Sequence, residues 1–309
     1  MPHTLLLAEP RGYCAGVVRA IDVLDRVLAT EQAPVYAFHE IVHNRHVVDG
    51  FRRRGAVFVD SLDEVPEGSR IVFSAHGVSP EVVEQAKARR LRVLDATCPL
   101  VTKVHKETKK AAQDGYEILL IGHRGHDEVV GTLGEAPDRT TIVDDRDEVR
   151  ELPGRGLPVF VVTQTTLSVD DTAGVIDEIR ARYPDAQVRN DICYATTNRQ
   201  EAVRELARRA DVVLVVGSEN SSNSVRLREV AASMGTPAYR VDGIEEIDPA
   251  WYDGAEVVGL TAGASVPDEL LDPIVADLRE RGVTTVEPVV VAVETVEFRS
   301  PEGLEPAAG

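Results

Sequence analysis

Cysteine is scarce in this chain of 309 residues: Cys14, Cys98 and Cys193 are the whole set. An odd count with no C-x-x-C pair argues against a disulfide framework. Long apolar runs are missing too. The longest, such as 212–216, have strand length, against the ~20 residues that a membrane-spanning helix needs. At the N-terminus only residues 5–8 are apolar before charges begin, too few for a secretory h-region, so a soluble cytoplasmic protein is expected. Basic residues are outnumbered 34 to 52, for a net charge of −18 and a pI near 4.9. Nucleic-acid backbones and anionic membranes select basic surfaces, so neither is expected as a partner. What the chain does have is 43% hydrophobic residues, enough for a full core, which excludes a disordered or collagen-like chain.

The length alone suggests about two domains. An internal repeat points to three units instead. Each cysteine follows a short β-like run (5–8, 91–95, 187–189) and precedes an amphipathic helical pattern (17–30, 101–114, 198–210). An apolar strand comes next in each case, at 35–38, 118–121 and 212–216. Then, 45, 45 and 48 residues after the cysteines, stand Val59-Asp-Ser-Leu-Asp-Glu-Val65, Val143-Asp-Asp-Arg-Asp-Glu-Val149 and Val241-Asp-Gly-Ile-Glu-Glu-Ile247. A closing strand lies within 71–77, 159–166 and 257–265, before helix starts marked by Ser79-Pro80, Ser168 and Ser265. Ser168-x-x-Asp171 and Ser265-x-x-Asp268 fit an N-cap pattern. The reading is an α/β chain of three units with mostly parallel sheets and right-handed crossovers. Their bounds are 14–98, 99–192, and 193–286 completed by the strand in 1–13. From 287 to 309 the pattern is lost, and 301–309 is expected to fray.

In open α/β sheets ligands bind beyond the carboxyl ends of the strands, and each cysteine sits just past such an end. Three units around a pseudo-threefold axis would let the thiols meet at a central soft-metal site. Zinc with a fourth ligand fits, and so does an iron–sulfur cubane with one open, Lewis-acidic iron. Spacing does not choose between them, and three unrelated buried thiols are the plain alternative. At 28 to 29 residues after each cysteine stand His43, His126 and Ser222, with Asn223 next. At 62 to 72 residues stand His76, Thr165 and Ser265. Gly77, Gly122, Gly125, Gly217 and Gly263 suit tight turns, and the helix N-termini favour an anionic, phosphate-type ligand. Lys and Arg are sparse in these loops, Arg124 excepted. Glu128, two residues past His126, is a candidate proton donor, although a loop acid is ordinarily solvated. His39 and His123 also share a repeat position, 25 residues after their cysteines, so spacing does not separate them from His43 and His126. Ser265 reads equally as a cap or a ligand contact. The acidic run 144–151 reads as a solvated face.

Nine segments together carry a resemblance. They are Pro10-Arg-Gly-Tyr-Cys-Ala-Gly16, His39-Glu-Ile-Val-His-Asn-Arg45, Phe73-Ser-Ala-His-Gly-Val78, Asp95-Ala-Thr-Cys-Pro-Leu-Val-Thr-Lys-Val-His105 and Gly122-His-Arg-Gly-His-Asp-Glu128. The others are Thr163-Gln-Thr-Thr-Leu-Ser-Val-Asp-Asp171, Asp191-Ile-Cys-Tyr-Ala-Thr-Thr-Asn-Arg-Gln200, Gly217-Ser-Glu-Asn-Ser-Ser-Asn-Ser224 and Thr261-Ala-Gly-Ala-Ser265. Across residues 10–265 the chain resembles the 4-hydroxy-3-methylbut-2-enyl diphosphate reductase (LytB) family. The resemblance implies a trefoil of three α/β units around one 4Fe–4S cluster, held by Cys14, Cys98 and Cys193 with one open iron that binds the substrate hydroxyl. It implies reductive dehydroxylation of an allylic diphosphate to isopentenyl and dimethylallyl diphosphate, the last step of the methylerythritol phosphate isoprenoid pathway. His43, His76, Ser221, Ser222, Asn223 and Ser265 would hold the diphosphate. His126, Thr165 and Glu128 would lie at the hydroxyl, with Glu128 the proton source. The electron donor would be a ferredoxin or flavodoxin with its reductase. A three-cysteine cluster dehydratase, or a quinolinate-synthase-like enzyme, and a zinc-dependent structural protein are the other readings.

Overall fold

The computed structural model describes residues 2–153, 156–301 and 304. Strand β1 (Thr4–Glu9) leads to helix α1 (Ala15–Thr30), β2 (Val35–Phe38), α2 (Arg45–Arg53), β3 (Ala56–Val59), β4 (Arg70–Phe73), α3 (Pro80–Ala88) and β5 (Arg92–Asp95). There follow α4 (Pro99–Gln113), β6 (Glu117–Ile121), α5 (Asp127–Gly134), β7 (Thr140–Val143), α6 (Arg146–Glu151), β8 (Val159–Thr163), α7 (Val169–Arg182) and β9 (Gln187–Val188). The last stretch holds α8 (Tyr194–Arg209), β10 (Val212–Val216), α9 (Ser222–Ser233), β11 (Ala238–Val241), β12 (Val257–Ala262), α10 (Asp272–Glu280) and β13 (Thr285–Val290). Among the described residues no helix is long and apolar enough to cross a membrane. Most of the segment expected to fray, 301–309, lies outside the described residues.

Two compact units are distinguished. One comprises the residues up to Ala15, His43–Val47 and Tyr194–Glu297. Its sheet has five strands in the order β11-β10-β12-β1-β13, every pairing parallel. Strand β10 is buried at every residue because both faces of the sheet are covered. Val212, Leu214 and Val216 pack with Leu260, Ile274 and Leu278, while Val213 and Val215 pack with Val203, Leu206 and Leu227. Each such side chain contributes about 1.5–3 kcal/mol through burial. Strand β1 inserts between β12 and β13, with Leu5 opposite Val258 and Val286. Strand β13 carries ordered structure past Glu287, where the sequence shows no periodicity. It is an edge strand with only Val289 buried, so it needs no apolar alternation.

The other unit comprises Gly16–Val42, Val48–Cys193 and the residues from Phe298 on. It holds two parallel four-stranded sheets, β3-β2-β4-β5 and β7-β6-β8-β9. In β6, Ile118 and Leu120 pack with Val104 and Val129, and Leu119 and Ile121 with Val175 and Ile179. The first four strands of the five-stranded sheet follow the same order as these two sheets, so the chain carries one α/β pattern three times.

The shared acidic segments have a local cause. Glu64, Glu148 and Glu246 each accept the backbone N–H of the Asp four residues earlier, at 3.3, 2.9 and 2.9 Å. Asp145 also caps α6 through the Glu148 N–H, at 2.9 Å, and Val149 beneath is fully buried. The run 144–151 therefore fastens a turn rather than merely facing solvent.

Candidate functional site

All three cysteines occupy the residue before a helix: Cys14 before α1, Cys98 before α4 and Cys193 before α8. These helices start two, two and four residues earlier than the apolar periodicity indicates, because the added residues, 15–16, 99–100 and 194–197, do not extend a regular apolar stripe. The same backbone latch holds each thiol. The N–H groups of Cys14, Cys98 and Cys193 donate to the carbonyls of Ala264, Ala75 and Thr165, at 3.2, 3.0 and 3.1 Å. Two residues earlier, Gly12 and Ala96 donate to Ala262 O and Phe73 O, at 3.3 and 3.1 Å. Asp191 N–H donates instead to the Thr163 hydroxyl, at 2.9 Å. By this latch Thr165 corresponds to Ala75 and Ala264, one residue short of His76 and Ser265 with which spacing had grouped it. None of the three is in a disulfide among the described residues, and all are half-buried. Each is a soft donor at a helix N-terminus, where peptide dipoles favour the thiolate form that a metal takes.

Glu128 belongs to the first turn of α5 and is only 2% exposed, unlike a solvated loop acid. Its Oε1 accepts the Thr165 N–H at 2.7 Å, and its Oε2 accepts the Thr165 hydroxyl at 3.0 Å. Burial pushes its pKa up to about 7, against the opposing pull of the two Thr165 bonds. His126 caps α5: its Nδ1 accepts the Glu128 N–H at 3.2 Å. A neutral ring then carries its proton on Nε2, ready to donate. The His126 ring stands edge-on to His76, with centroids 5.8 Å apart. His76 Nδ1 lies 3.4 Å from Ser74 Oγ and 3.8 Å from Asp127 Oδ2. The two competing histidines are engaged with carboxylates: His39 with Asp127 at 3.3 Å and His123 with Asp144 at 2.7 Å. Arg124 is held by both oxygens of Glu148, at 2.6 and 2.8 Å, and so is tied down on the surface.

In the unit of the five-stranded sheet, Ser221 caps α9, its Oγ accepting from Ser224 N–H at 3.3 Å and Ser224 Oγ at 3.0 Å. Ser222 opens the helix. Asn223 follows, 4% exposed, and neither atom of its side-chain amide has a hydrogen-bond partner. Leaving such a group buried and unpaired costs about 1–3 kcal/mol. A Cβ on Gly217 or Gly263 would collide with Ser224 Oγ, so glycine lets the backbone close around this turn. Ser265 caps no helix, because the next turn starts at Asp268 and α10 only at Asp272. Its hydroxyl donates to His43 O at 2.8 Å, and Asn220 Nδ2 lies 3.5 Å from His43 Nδ1.

Several residues near these groups escape sequence reasoning. His105 lies on the buried stripe of α4, between Val104 and Thr108. Its Nδ1 is 3.2 Å from Glu135, its Nε2 is buried without a partner, and its ring packs against Gly77 and Gly131. Lys103 reaches Asp191, two residues before Cys193, at 2.6 Å. Arg199 is fully buried and donates to Gly12 O, two residues before Cys14, at 2.8 and 3.1 Å. For His105 and Arg199 the one available signal is a charged or imidazole residue at the buried phase of an amphipathic helix; the exposed Lys103 carries no such signal.

Fold and site define the class: a parallel α/β protein with three helix-start thiols and a buried carboxyl whose pKa is raised by burial. The sequence pattern of the family described as LytB protein matches residues 5–279, and the chain belongs to that family. It is 54% identical over 307 residues to the 4-hydroxy-3-methylbut-2-enyl diphosphate reductase of Mycolicibacterium vanbaalenii, covering 98% of this chain and 91% of that one. Against the enzyme of that name from Actinobacillus pleuropneumoniae it is 51% identical over 306 residues, covering 97% and 98%. The solved E-1-hydroxy-2-methyl-but-2-enyl-4-diphosphate reductase of Plasmodium falciparum is similar with a TM-score of 0.96 at 35% identity, covering 98% of this chain and 97% of that one.

Proposed function

We propose that the chain reduces (E)-4-hydroxy-3-methylbut-2-enyl diphosphate to isopentenyl and dimethylallyl diphosphate. The 4-hydroxyl leaves as water, and the reaction consumes two electrons and two protons. This is the last step of the methylerythritol phosphate route. The observation that carries the mechanism is Glu128, buried, bonded twice to Thr165 and raised to about 7. Full-length relatives bearing that enzyme name support the substrate.

Cys14, Cys98 and Cys193 would hold a 4Fe–4S cluster. When bound, such a group supplies the electrons and a Lewis-acidic iron. Burial raises the Glu128 pKa to about 7, so the carboxyl is able to carry a proton near neutral pH. The Thr165 hydroxyl, able to accept and donate at once, passes that proton to the leaving oxygen. His126 orients the same oxygen through its Nε2–H. Asn223 offers its unpaired amide to the diphosphate at the start of α9, where Ser221, Ser222 and the helix dipole add to the attraction. His43 and His76 contribute imidazole donors, and Ser265 turns its hydroxyl from His43 O to the ligand. A ferredoxin or flavodoxin with its reductase supplies the electrons, in the cytoplasm, where unbridged thiols persist.

Anaerobic purification with iron, sulfide and zinc analysis tests the cofactor. About four irons and four sulfides per chain are expected. One zinc without sulfide would defeat the reductase reading. Glu128→Gln should keep the iron and sulfide but lose about a hundredfold or more in turnover. Near-normal turnover would remove Glu128 from the mechanism.

A further inference from the structure

Lysine is distributed unevenly. The chain has five, and four of them, Lys103, Lys106, Lys109 and Lys110, stand on α4 directly after Cys98. All four are exposed, in a chain of net charge −18. Lys103 is paired with Asp191 and Glu107 at 2.6 and 3.6 Å, and Lys110 with Asp114 at 2.6 Å. Lys106 and Lys109 have no ion pair among the described residues. Helix stability accounts for Lys110 in the last turn, where a cation complements the peptide dipoles, but not for Lys106 at mid-helix.

Helix α4 borders an open cleft of about 500 Å³, whose wall includes Thr97 and Pro99, the two neighbours of Cys98. Lys103, Lys106 and Arg19 also line it, against the acids Asp95 and Glu107. Asp95 is engaged with its own loop, accepting the Thr97 N–H at 2.9 Å. The Arg19 guanidinium donates to carbonyls, those of Thr97 at 2.9 Å, Asp95 at 3.3 Å and Arg299 at 2.8 Å. Its hydrogen bonds are thus satisfied while its charge is not neutralised.

We infer that this face of α4 is the docking surface of an acidic one-electron carrier protein, which delivers electrons through the Thr97-Cys98-Pro99 wall. The inference rests on the reductase reading above. Each carrier is oxidised by one electron, so two carriers serve one turnover. An overall charge of −18 repels an acidic carrier, and a local group of exposed lysines offsets that repulsion at this face. Charge steering of this kind raises encounter rates by about 10- to 1000-fold at low salt.

The test uses the holoenzyme, an acidic two-iron ferredoxin as probe, and the double variant Lys106→Glu/Lys109→Glu. The Kd for ferredoxin should rise about tenfold or more at low ionic strength, and the difference should shrink near 0.5 M salt. Turnover driven by reduced methyl viologen, a small cation, should stay within about twofold of the parent. The Lys106→Gln/Lys109→Gln variant should fall between. Unchanged ferredoxin binding in the charge-reversed variant would overturn the proposal, as would equal losses with ferredoxin and viologen. Absence of viologen-driven turnover in the parent enzyme would instead defeat the reductase reading, while the ferredoxin Kd still tests the surface.

Discussion

Glu128 is a carboxyl whose native environment opposes its ionisation. Its pKa of about 7 stands above the ordinary 4.5, so between those values the folded protein binds its proton more tightly than the unfolded chain does. Stability from this group is full below about 4.5 and is lost as pH rises toward about 7. Glutamine never ionises. Replacing Glu128 with Gln should therefore give a melting-temperature difference, variant minus parent, that climbs across this window and is flat outside it. Thermal unfolding of the anaerobic holoenzyme at a series of pH values checks this, and a constant difference would show that burial does not raise the group. The motif around His126 made Glu128 a legible candidate. Its burial was not legible, because the His126 cap that turns the residue inward depends on helix geometry. The orphaned amide of Asn223 was equally invisible, since a hydrogen bond left unmade has no sequence pattern.

Among the elements, the short buried strands were read most faithfully. The spans 35–38 and 212–216 coincide with β2 and β10, because strands covered on both faces are written as continuous apolar runs. The helices that follow the cysteines start before their apolar periodicity does, because the residues next to each thiol form no regular apolar stripe. Strand β13 went unread because it is exposed at the sheet edge. Burial also ranks substitutions. Leu214→Ala, in the fully buried β10, should cost about 2–5 kcal/mol, whereas Val57→Ala, 39% exposed in β3, should cost well under about 1 kcal/mol. Denaturant unfolding of the two variants checks the contrast, and comparable losses would contradict the assignment of the core.

For the molecule as a whole, the threefold repetition was legible because three weak patterns in one register reinforce one another. The shared strand order of the three sheets gives it a structural basis. The repeats also make a prediction about loading. If Cys14, Cys98 and Cys193 serve one group, then Cys193→Ser should lower the iron and sulfide contents together, rather than remove one third of them. Metal analysis with EPR after reduction checks this, and proportional loss would separate the thiols into independent sites. The backbone latch carries a consequence of another kind. Five of its six hydrogen bonds run between amide and carbonyl groups, which nearly every residue type possesses, and only the Asp191 bond relies on a side chain. The addresses of the three thiols are thus written in the main chain. Neighbouring side chains can drift over evolutionary time without displacing a ligand, and proline is the one replacement able to erase a donor.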